Sequence, residues 1–228
     1  MLVSDYKRCF DIFLCGGTQH FVQLRHLLPK LLPYGTVHLA SSFLSQIELH
    51  ELHGLYDVLH TPHHSRDGYY NFELFSIRDI NRLATAPWFI KLDADVDVDP
   101  GWIGYVEESI AAHPDAVLFG PIRGNVDINA ELHGVLGHDI KVTNGKKVIG
   151  GFYVGRTAYF KEHLRLMDAL HATLATRAGA KPAKFRGNED TLRSLLVHAT
   201  GAGDRLHVFD CRGLIRIEGR NTAEPAAR

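Results

Sequence analysis

The sequence predicts an α/β fold with a mainly parallel central sheet and helices on both of its faces. In the first hundred residues, short apolar runs alternate with longer segments that carry apolar residues at helical spacing. Gly, Ser or Asp follows several of the apolar runs, as expected where strands end. Alternating strands and helices favour right-handed crossovers and therefore a Rossmann-like parallel sheet. With 228 residues, 45% of them hydrophobic, the chain is long enough to bury such a core.

The N-terminal half, about residues 10–100, is predicted to contain four strands and three helices. Thr18 is a candidate N-cap for the first helix, and Pro33-Tyr34-Gly35 ends it. The predicted strands are Phe10 to Cys15, Thr36 to Ala40, Tyr56 to Leu59 and Trp88 to Leu92. The predicted helices are Thr18 to about Leu32, Gln46 to Leu55 and Asn71 to Ala84.

The C-terminal half, about residues 101–215, continues the pattern less regularly. Predicted strands are Ala116 to Phe119, Lys147 to Val154 and Leu206 to Phe209, and predicted helices are Trp102 to Ala112, Phe160 to Arg177 and Asn188 to His198. Pro121 to Gly145 is predicted as a loop-rich insertion, Ala178 to Gly187 as a flexible basic stretch, and residues 223–228 as a disordered tail. Since the chain shows no repeat or linker, we expect residues 1–228 to form a single domain.

Composition narrows the function classes. A net charge of −1 with neutral histidine gives no basic field for nucleic acid. Three cysteines without metal-ligand spacing fit free thiols in a reducing compartment, so a cytoplasmic location is expected. No stretch approaches the roughly 20 apolar residues of a membrane span. A homodimer is compatible with this composition.

Four acidic residues follow the apolar strand Trp88 to Leu92 at every second position: Asp93, Asp95, Asp97 and Asp99. Alternate side chains of a strand share a face, so these carboxylates converge if strand geometry continues past Leu92. Converging carboxylates repel one another and raise each other's pKa unless a cation lies among them. The stretch therefore predicts a site for a hard divalent cation with oxygen ligands.

The acidic stretch falls where a parallel sheet binds ligands. Gly16-Gly17, Ser41-Ser42 and Asp93 to Asp95 each follow a predicted parallel strand. Ligands of such sheets bind beyond the carboxyl ends of the strands. The three features together predict one binding rim.

Three motifs, in this order, resemble those of the A-type-fold glycosyltransferases, most closely the large inverting family that uses nucleotide sugars. They are Leu92-Asp93-Ala94-Asp95 with Pro100, Ile149-Gly150-Gly151-Phe152 with Arg156, and Asn188-Glu189-Asp190 at the head of a helix. The resemblance covers most of the chain from Phe10 to Leu196. It implies a nucleotide-sugar-binding first half and an acceptor-binding second half.

The resemblance also implies roles for single residues. Asp95 would bind Mg²⁺ or Mn²⁺ across the donor diphosphate, and Asp93 would face the ribose or the metal and its water. Asp97 is either a further metal group or a solvated turn residue, and His207 and His198 are candidate histidine ligands. Asp190 would be the base for the acceptor hydroxyl.

The remaining implied roles concern the acceptor and the donor. Glu189 would support the base or bind acceptor. Independently of the resemblance, Asp99 is expected to cap the following helix. Arg78 is a candidate phosphate contact or a surface partner of Asp79 or Glu73. The further donor-binding candidates are Cys15, Gly16, Ser41, Ala94, Gly150 and Gly151.

The chain departs from the family at the position that binds the nucleobase of the donor. Ser41-Ser42 stand where the family carries an Asp that reads uracil, with Asp67 or Gln19 as candidate replacements. A UDP-sugar is still the expected donor. The Gln-x-x-Arg-Trp motif of processive synthases is missing, which favours transfer of one sugar to a small-molecule or soluble glycan acceptor.

Two other functions are open at this point. A sugar nucleotidyltransferase shares the substrate, the metal and the sheet, but carries a Gly-rich loop with Arg or Lys after the first strand. Here no Lys or Arg follows Cys15-Gly16-Gly17-Thr18 until Arg25. A non-catalytic nucleotide-sugar-binding module is the second alternative, and Asp95 and Asp190 weigh against it.

Overall fold

The computed structural model describes residues 9–42, 44–61, 75–121, 146–148, 151–177, 189–208 and 214–217. Seven of the strands in these ranges form one sheet, in the order β3-β2-β1-β4-β7-β6-β8, and β5 and β9 form a second, two-stranded sheet. The strands are β1 (Phe10–Gly17), β2 (Thr36–Ser42), β3 (Val58–His60), β4 (Trp88–Asp93), β5 (Val96–Val98), β6 (Leu118–Gly120), β7 (Phe152–Arg156), β8 (Leu206–Val208) and β9 (Ile215–Ile217).

The α-helices of the same ranges are α1 (Phe21–Leu31), α2 (Gln46–Glu51), α3 (Ile80–Leu83), α4 (Trp102–Ala112), α5 (Thr157–Glu162), α6 (Leu164–Arg177) and α7 (Glu189–Ala199). A π-helical turn, Phe75–Asp79, leads into α3. Short 3₁₀ turns at Thr18–His20 and Gly203–Arg205 precede α1 and β8. None of the described helices is long and apolar enough to cross a membrane.

The predicted parallel sheet is confirmed. β1 pairs in parallel with β2 and β4, β2 with β3, and β6 with β8. β7 is antiparallel to both β4 and β6 and so joins the two parallel groups. The carboxyl ends of β1, β2, β3 and β4 consequently share one edge of the sheet.

Successive residues of β1 point into two separate cores, which places helices on both faces. Ile12 and Leu14 belong to the core that α1 and α4 cover. Phe13 and Cys15 belong to the core that α6 and α7 cover. The strand is therefore apolar on both sides, as the continuous run of the sequence indicates.

A buried carboxylate connects β1 to the start of β4. Asp11 is 2% exposed, and its Oδ2 accepts hydrogen bonds from the backbone N–H groups of Thr85 and Ala86. Nε2 of His38 lies 3.5 Å from the other oxygen. Burial raises the pKa of Asp11, but the hydrogen bonds from His38, Ala86 and Thr85 outweigh it and lower the pKa. The charged side chain thus fixes the entry of β4 beside β1.

Several predicted boundaries were wrong. The strand predicted for Lys147 to Val154 is β7, Phe152–Arg156, because its partners on β4 are residues 88–92. Gly155 sits there against the ring of Phe89, where a Cβ would lie 2.2 Å from Cζ. The helix predicted from Phe160 begins at Thr157 and is interrupted at His163.

The cap predicted for α4 was also wrong. Gly101 occupies the N-cap position with a φ of 93°, a conformation that favours glycine. The side chain of Asp99 instead binds Arg216, and only its backbone carbonyl accepts from the N–H of Trp102.

Other predictions lie outside the described residues. These are the insertion over residues 122–145, the basic stretch over residues 178–187, the tail over residues 223–228, Asp67, Gly150 and the cap at Asn188.

Candidate active site

The Asp93-Ala94-Asp95 turn lies at the carboxyl end of β4, held from two sides. The N–H of Asp93 donates to the carbonyl of Gly151 over 2.9 Å, and the N–H of Ala94 donates to the carbonyl of Cys15 over 3.0 Å. The turn is therefore fixed between the end of β1 and the residue that precedes β7. Two of the sequence motifs, at Asp93 to Asp95 and at Gly151, meet here.

Gly16 allows the end of β1 to approach this turn closely. A Cβ at Gly16 would lie 2.8 Å from the Cβ of Ala94 and 3.1 Å from Cδ2 of Leu24. Carbon atoms pack best about 3.5–4.0 Å apart, so any side chain at residue 16 would push the turn outward. The side chain of Cys15 points into the core, where its Sγ lies 3.8 Å from Oγ of Ser76.

Asp93 is paired with a lysine that the sequence analysis did not single out. Nζ of Lys91 donates to Oδ1 of Asp93 over 2.6 Å. The side chain of Lys91 is 2% exposed and that of Asp93 is 35% exposed. A signal for this pair exists in the sequence, because Lys91 interrupts an apolar strand two residues before Asp93, on the same face.

Asp95 follows in the turn and is half-buried, with its Oδ1 atom buried. Together with Asp93 it presents carboxylate oxygens at the edge where parallel sheets bind ligands. Within the ranges that the structure describes, no group of three or more His, Cys, Asp or Glu side chains is arranged to hold a metal ion.

The predicted alternation of carboxylates stops after Asp93, because strand geometry does not persist. Residues 94 and 95 form a turn, and Val96 starts β5, which pairs with β9 in the second sheet. Asp97 on β5 accepts hydrogen bonds from Lys30 over 2.6 Å and from Arg216 over 2.8 Å.

This ion-pair network defines the charge state of Asp97. Burial raises the pKa of Asp97, but the hydrogen bonds from Lys30 and Arg216 outweigh it and lower the pKa to about 2. Asp97 therefore already has two cationic partners, and its metal-ligand role has no support in this geometry.

The histidine and arginine candidates have other neighbours. The ring of His207 stacks on His113 with centroids 4.0 Å apart, and burial lowers the pKa of His207. Nε2 of His198 lies 2.9 Å from the carbonyl of Lys146. Nε of Arg78 lies 3.8 Å from Asp168 on α6, while Glu73, one of its two predicted partners, lies outside the described residues.

Ser41, the donor-binding candidate on β2, lies near the end of that strand. The residue is buried, and its hydroxyl has no hydrogen-bond partner among the described residues. Its backbone pairs with Gly16, one strand away from the Asp93 to Asp95 turn.

Comparison with solved structures identifies the fold. Mouse xyloside xylosyltransferase 1 is 14% identical, with a TM-score of 0.53, over 89% of this chain and 85% of that chain. The galactosyltransferase LgtC, in complex with donor and acceptor sugar analogs, is 12% identical with a TM-score of 0.57, over 89% and 74%. TarS 1–349 from S. aureus is 11% identical with a TM-score of 0.55, over 91% and 59%.

The chain has the A-type glycosyltransferase fold. No protein-family profile matches the chain, and no curated protein matches it. At these identities the likeness shows the fold alone, so the activity, the donor and the acceptor have to be inferred from the site.

In this A-type fold, the third motif lies at the start of α7. The backbones of Glu189 and Asp190 form the first turn of the helix, as predicted. The residues from Leu192 to His198 are buried, so α7 is a core helix. Among them is Arg193, a buried cation that sequence analysis missed, because an arginine in a helix is usually exposed.

Proposed function

We propose that the protein transfers one sugar from a nucleotide-diphosphate donor to a hydroxyl or amine of a small or soluble acceptor, with Mg²⁺ or Mn²⁺ and with inversion at the anomeric carbon. The observation that carries the proposal is the Asp93-Ala94-Asp95 turn, fixed between Cys15 and Gly151 at the carboxyl edge of an A-type glycosyltransferase sheet. LgtC, which shares the fold, was solved with donor and acceptor sugar analogs.

The carboxylates fit a divalent cation that the donor completes. Mg²⁺ in proteins is usually held by one or two carboxylates together with substrate phosphates, so two carboxylates without a third protein ligand are sufficient. When bound, the ion would neutralise charge that develops on the leaving diphosphate. Since Lys91 already neutralises Asp93, we assign Asp95 as the main ligand and Asp93 to the ribose or the metal water.

The donor would lie along the ends of β1, β2 and β4. The hydroxyl of Ser41 is the polar group that the end of β2 offers to a nucleobase or ribose. A hydroxyl both donates and accepts, so it does not by itself exclude bases other than uracil. UDP-sugars are the first donors to test, and Arg78 remains a candidate contact to their phosphates.

Inversion requires a base that accepts the proton of the acceptor hydroxyl as its oxygen attacks the anomeric carbon. We assign this role to Asp190 and a supporting or acceptor-binding role to Glu189. Both residues occupy the first turn of α7, where the helix dipole favours a carboxylate in its charged, proton-accepting form.

A thermal-shift screen tests the proposal with UDP-, GDP-, CDP- and dTDP-sugars, each with and without Mn²⁺. A ligand at a hundredfold excess over its Kd stabilises the folded state by about 2.7 kcal/mol, which is readily measured. Asp95→Ala should lose the Mn²⁺-dependent shift, and Asp190→Asn should keep it but lose turnover. Glu108→Gln, an exposed acid on α4, is the matched control and should retain both.

Product analysis completes the test. The anomeric configuration of the product, measured by NMR, should be opposite to that of the donor. Retention would refute the assigned mechanism. Formation of a nucleotide sugar from a sugar phosphate and a nucleoside triphosphate would indicate a nucleotidyltransferase. The absence of any metal-dependent shift would refute the proposal as a whole.

A further inference from the structure

Arg193 on α7 is a fully buried cation that donates hydrogen bonds to two neutral groups. Its exposed fraction is 0%, and its guanidinium donates to Oδ1 of Asn81 over 2.7 Å and to the carbonyl of Ser76. Within the part of the chain that the structure describes, no carboxylate pairs with it. Burying a cation is costly, so its surroundings must compensate for the lost water.

Three aromatic rings provide much of that compensation. Cζ of Arg193 lies 5.0 Å from the ring centre of Phe89, 4.9 Å from that of Tyr153 and 4.8 Å from that of Phe160. Each ring face attracts a cation, and the attraction strengthens when water is excluded. These rings come from β4, β7 and α5, so one side chain of α7 is held by three other elements.

The partners of Arg193 also contact the donor side of the candidate site. The hydroxyl of Ser76, whose carbonyl binds Arg193, lies 3.8 Å from Sγ of Cys15 at the end of β1. The ring of Tyr153 lies 5.7 Å from Nζ of Lys91, which binds Asp93 over 2.6 Å. Two short routes thus lead from Arg193 to the Asp93 to Asp95 turn.

We propose that Arg193 is a positioning residue, which fixes the first turn of α7, with Glu189 and Asp190, relative to the Asp93 to Asp95 turn. This inference rests on the proposed function. Arg193 lies three residues after Asp190, within one turn of the same helix, so the contacts that hold its side chain also restrain the start of the helix. The planar fork of arginine is suited to this task, since it binds Asn81 and Ser76 in fixed directions while its faces pack on rings.

The test compares Arg193→Lys with Leu28→Ala. The lysine keeps the positive charge but loses the planar fork. Leu28 on α1 is 0% exposed in the other core, so its truncation lowers stability without touching the surroundings of Arg193. Asn81→Ala is a milder second variant, which removes one acceptor and leaves Arg193 in place.

We measure Tm, the Kd for the donor with Mn²⁺, and kcat for each variant. Arg193→Lys should lower kcat at least tenfold with the donor Kd within twofold of wild type, and Asn81→Ala should lower kcat about threefold. Leu28→Ala should lower Tm by about as much as Arg193→Lys does, and should keep kcat within twofold of wild type. The inference would be overturned if Arg193→Lys had the kcat of wild type, or if Leu28→Ala lost as much kcat as Arg193→Lys.

Hydrogen exchange separates this inference from the proposed function. The amides of residues 194–196 bond to the carbonyls of residues 190–192 in the helix. They should exchange at least tenfold faster in Arg193→Lys, while the amides of β1 and β4 stay protected. Unchanged exchange overturns the inference even if sugar transfer is established. Faster exchange in a protein that transfers no sugar supports Arg193 as the anchor of α7 and refutes the proposed function alone.

Discussion

The contact between Gly16 at the end of β1 and Ala94 in the acidic turn can be tested by adding a methyl group at residue 16 and removing one at residue 94. In Gly16→Ala the new Cβ would lie 2.8 Å from the Cβ of Ala94, well inside ordinary contact. Overpacking of this kind typically costs about 1–3 kcal/mol. Since Ala94 lies between Asp93 and Asp95, the backbone shift that relieves the clash displaces both carboxylates.

The double variant Gly16→Ala with Ala94→Gly should restore much of the loss, because the methyl group at residue 94 that causes the shortest contact is gone. Ala94→Gly alone should cost about 0.5–1 kcal/mol through backbone entropy. If the two changes were independent, their costs would add to about 1.5–4 kcal/mol. We expect the double variant to lose about 1 kcal/mol of stability. The difference between this loss and the additive sum is the favourable coupling between residues 16 and 94. The residual contact is with Leu24, at 3.1 Å, and a side chain can adjust.

Urea denaturation of the four proteins of this cycle measures the coupling, with equal m-values as the check on two-state unfolding. The Mn²⁺-dependent thermal shift by the donor provides the functional readout. It should be lost in Gly16→Ala and recovered in the double variant. Strictly additive stabilities, or a Gly16→Ala variant that binds the donor normally, would refute the argument that this contact positions the turn.

Three further predictions concern charge and packing. The pKa of Asp97 is lowered from 3.8 to about 2, which corresponds to a contribution of about 2.4 kcal/mol to the free energy of unfolding. Because the network is partly exposed, screening by solvent reduces this contribution to about 1 kcal/mol. Because the folded-state pKa is the lower one, Asp97→Asn should be less stable than wild type above about pH 4, and the difference should vanish towards pH 2 in urea titrations. A constant difference across that range would contradict it. Gly155→Ala should lower the free energy of unfolding by at least 2 kcal/mol, roughly the upper range for overpacking, because the Cβ meets the ring of Phe89. An unchanged urea midpoint would be inconsistent with that contact. Lys91→Met should raise Mn²⁺ affinity in the absence of donor severalfold, measured by electron paramagnetic resonance, since it releases Asp93; weaker binding would show that Lys91 supports the metal site.

Much of the fold follows from local pattern, and the site follows only in part. The alternation of apolar runs and helical stripes predicts the parallel sheet because both periods are visible within ten to fifteen residues of sequence. The turn at Ala94 and Asp95 was not visible, because Val-Asp-Val-Asp continues a strand pattern. The strand β4 ends before Val96 because Val96–Val98 pair instead with Ile215–Ile217, more than a hundred residues later in the chain.

Charged residues limited the prediction of the site for a related reason. Asp97 carries the same signal as Asp95 in the sequence, and its partners Lys30 and Arg216 lie 67 and 119 residues away along the chain. Arg193 has the spacing of an ordinary helix residue. Its burial depends on three rings that the chain supplies from three separate elements. Partners at long sequence separation cannot be read from composition or periodicity.

The pairing of β5 with β9 bears on how the protein is made. Synthesis proceeds from the N-terminus, and early segments begin to fold before later ones exist. The strands β1, β2, β3 and β4 are complete long before Ile215–Ile217 leave the ribosome. Until then the segment that follows Asp95 lacks its strand partner, and Asp97 and Asp99 lack Arg216. The pairing that holds the segment after Asp95 can therefore form only after the strands of the seven-stranded sheet have been synthesised.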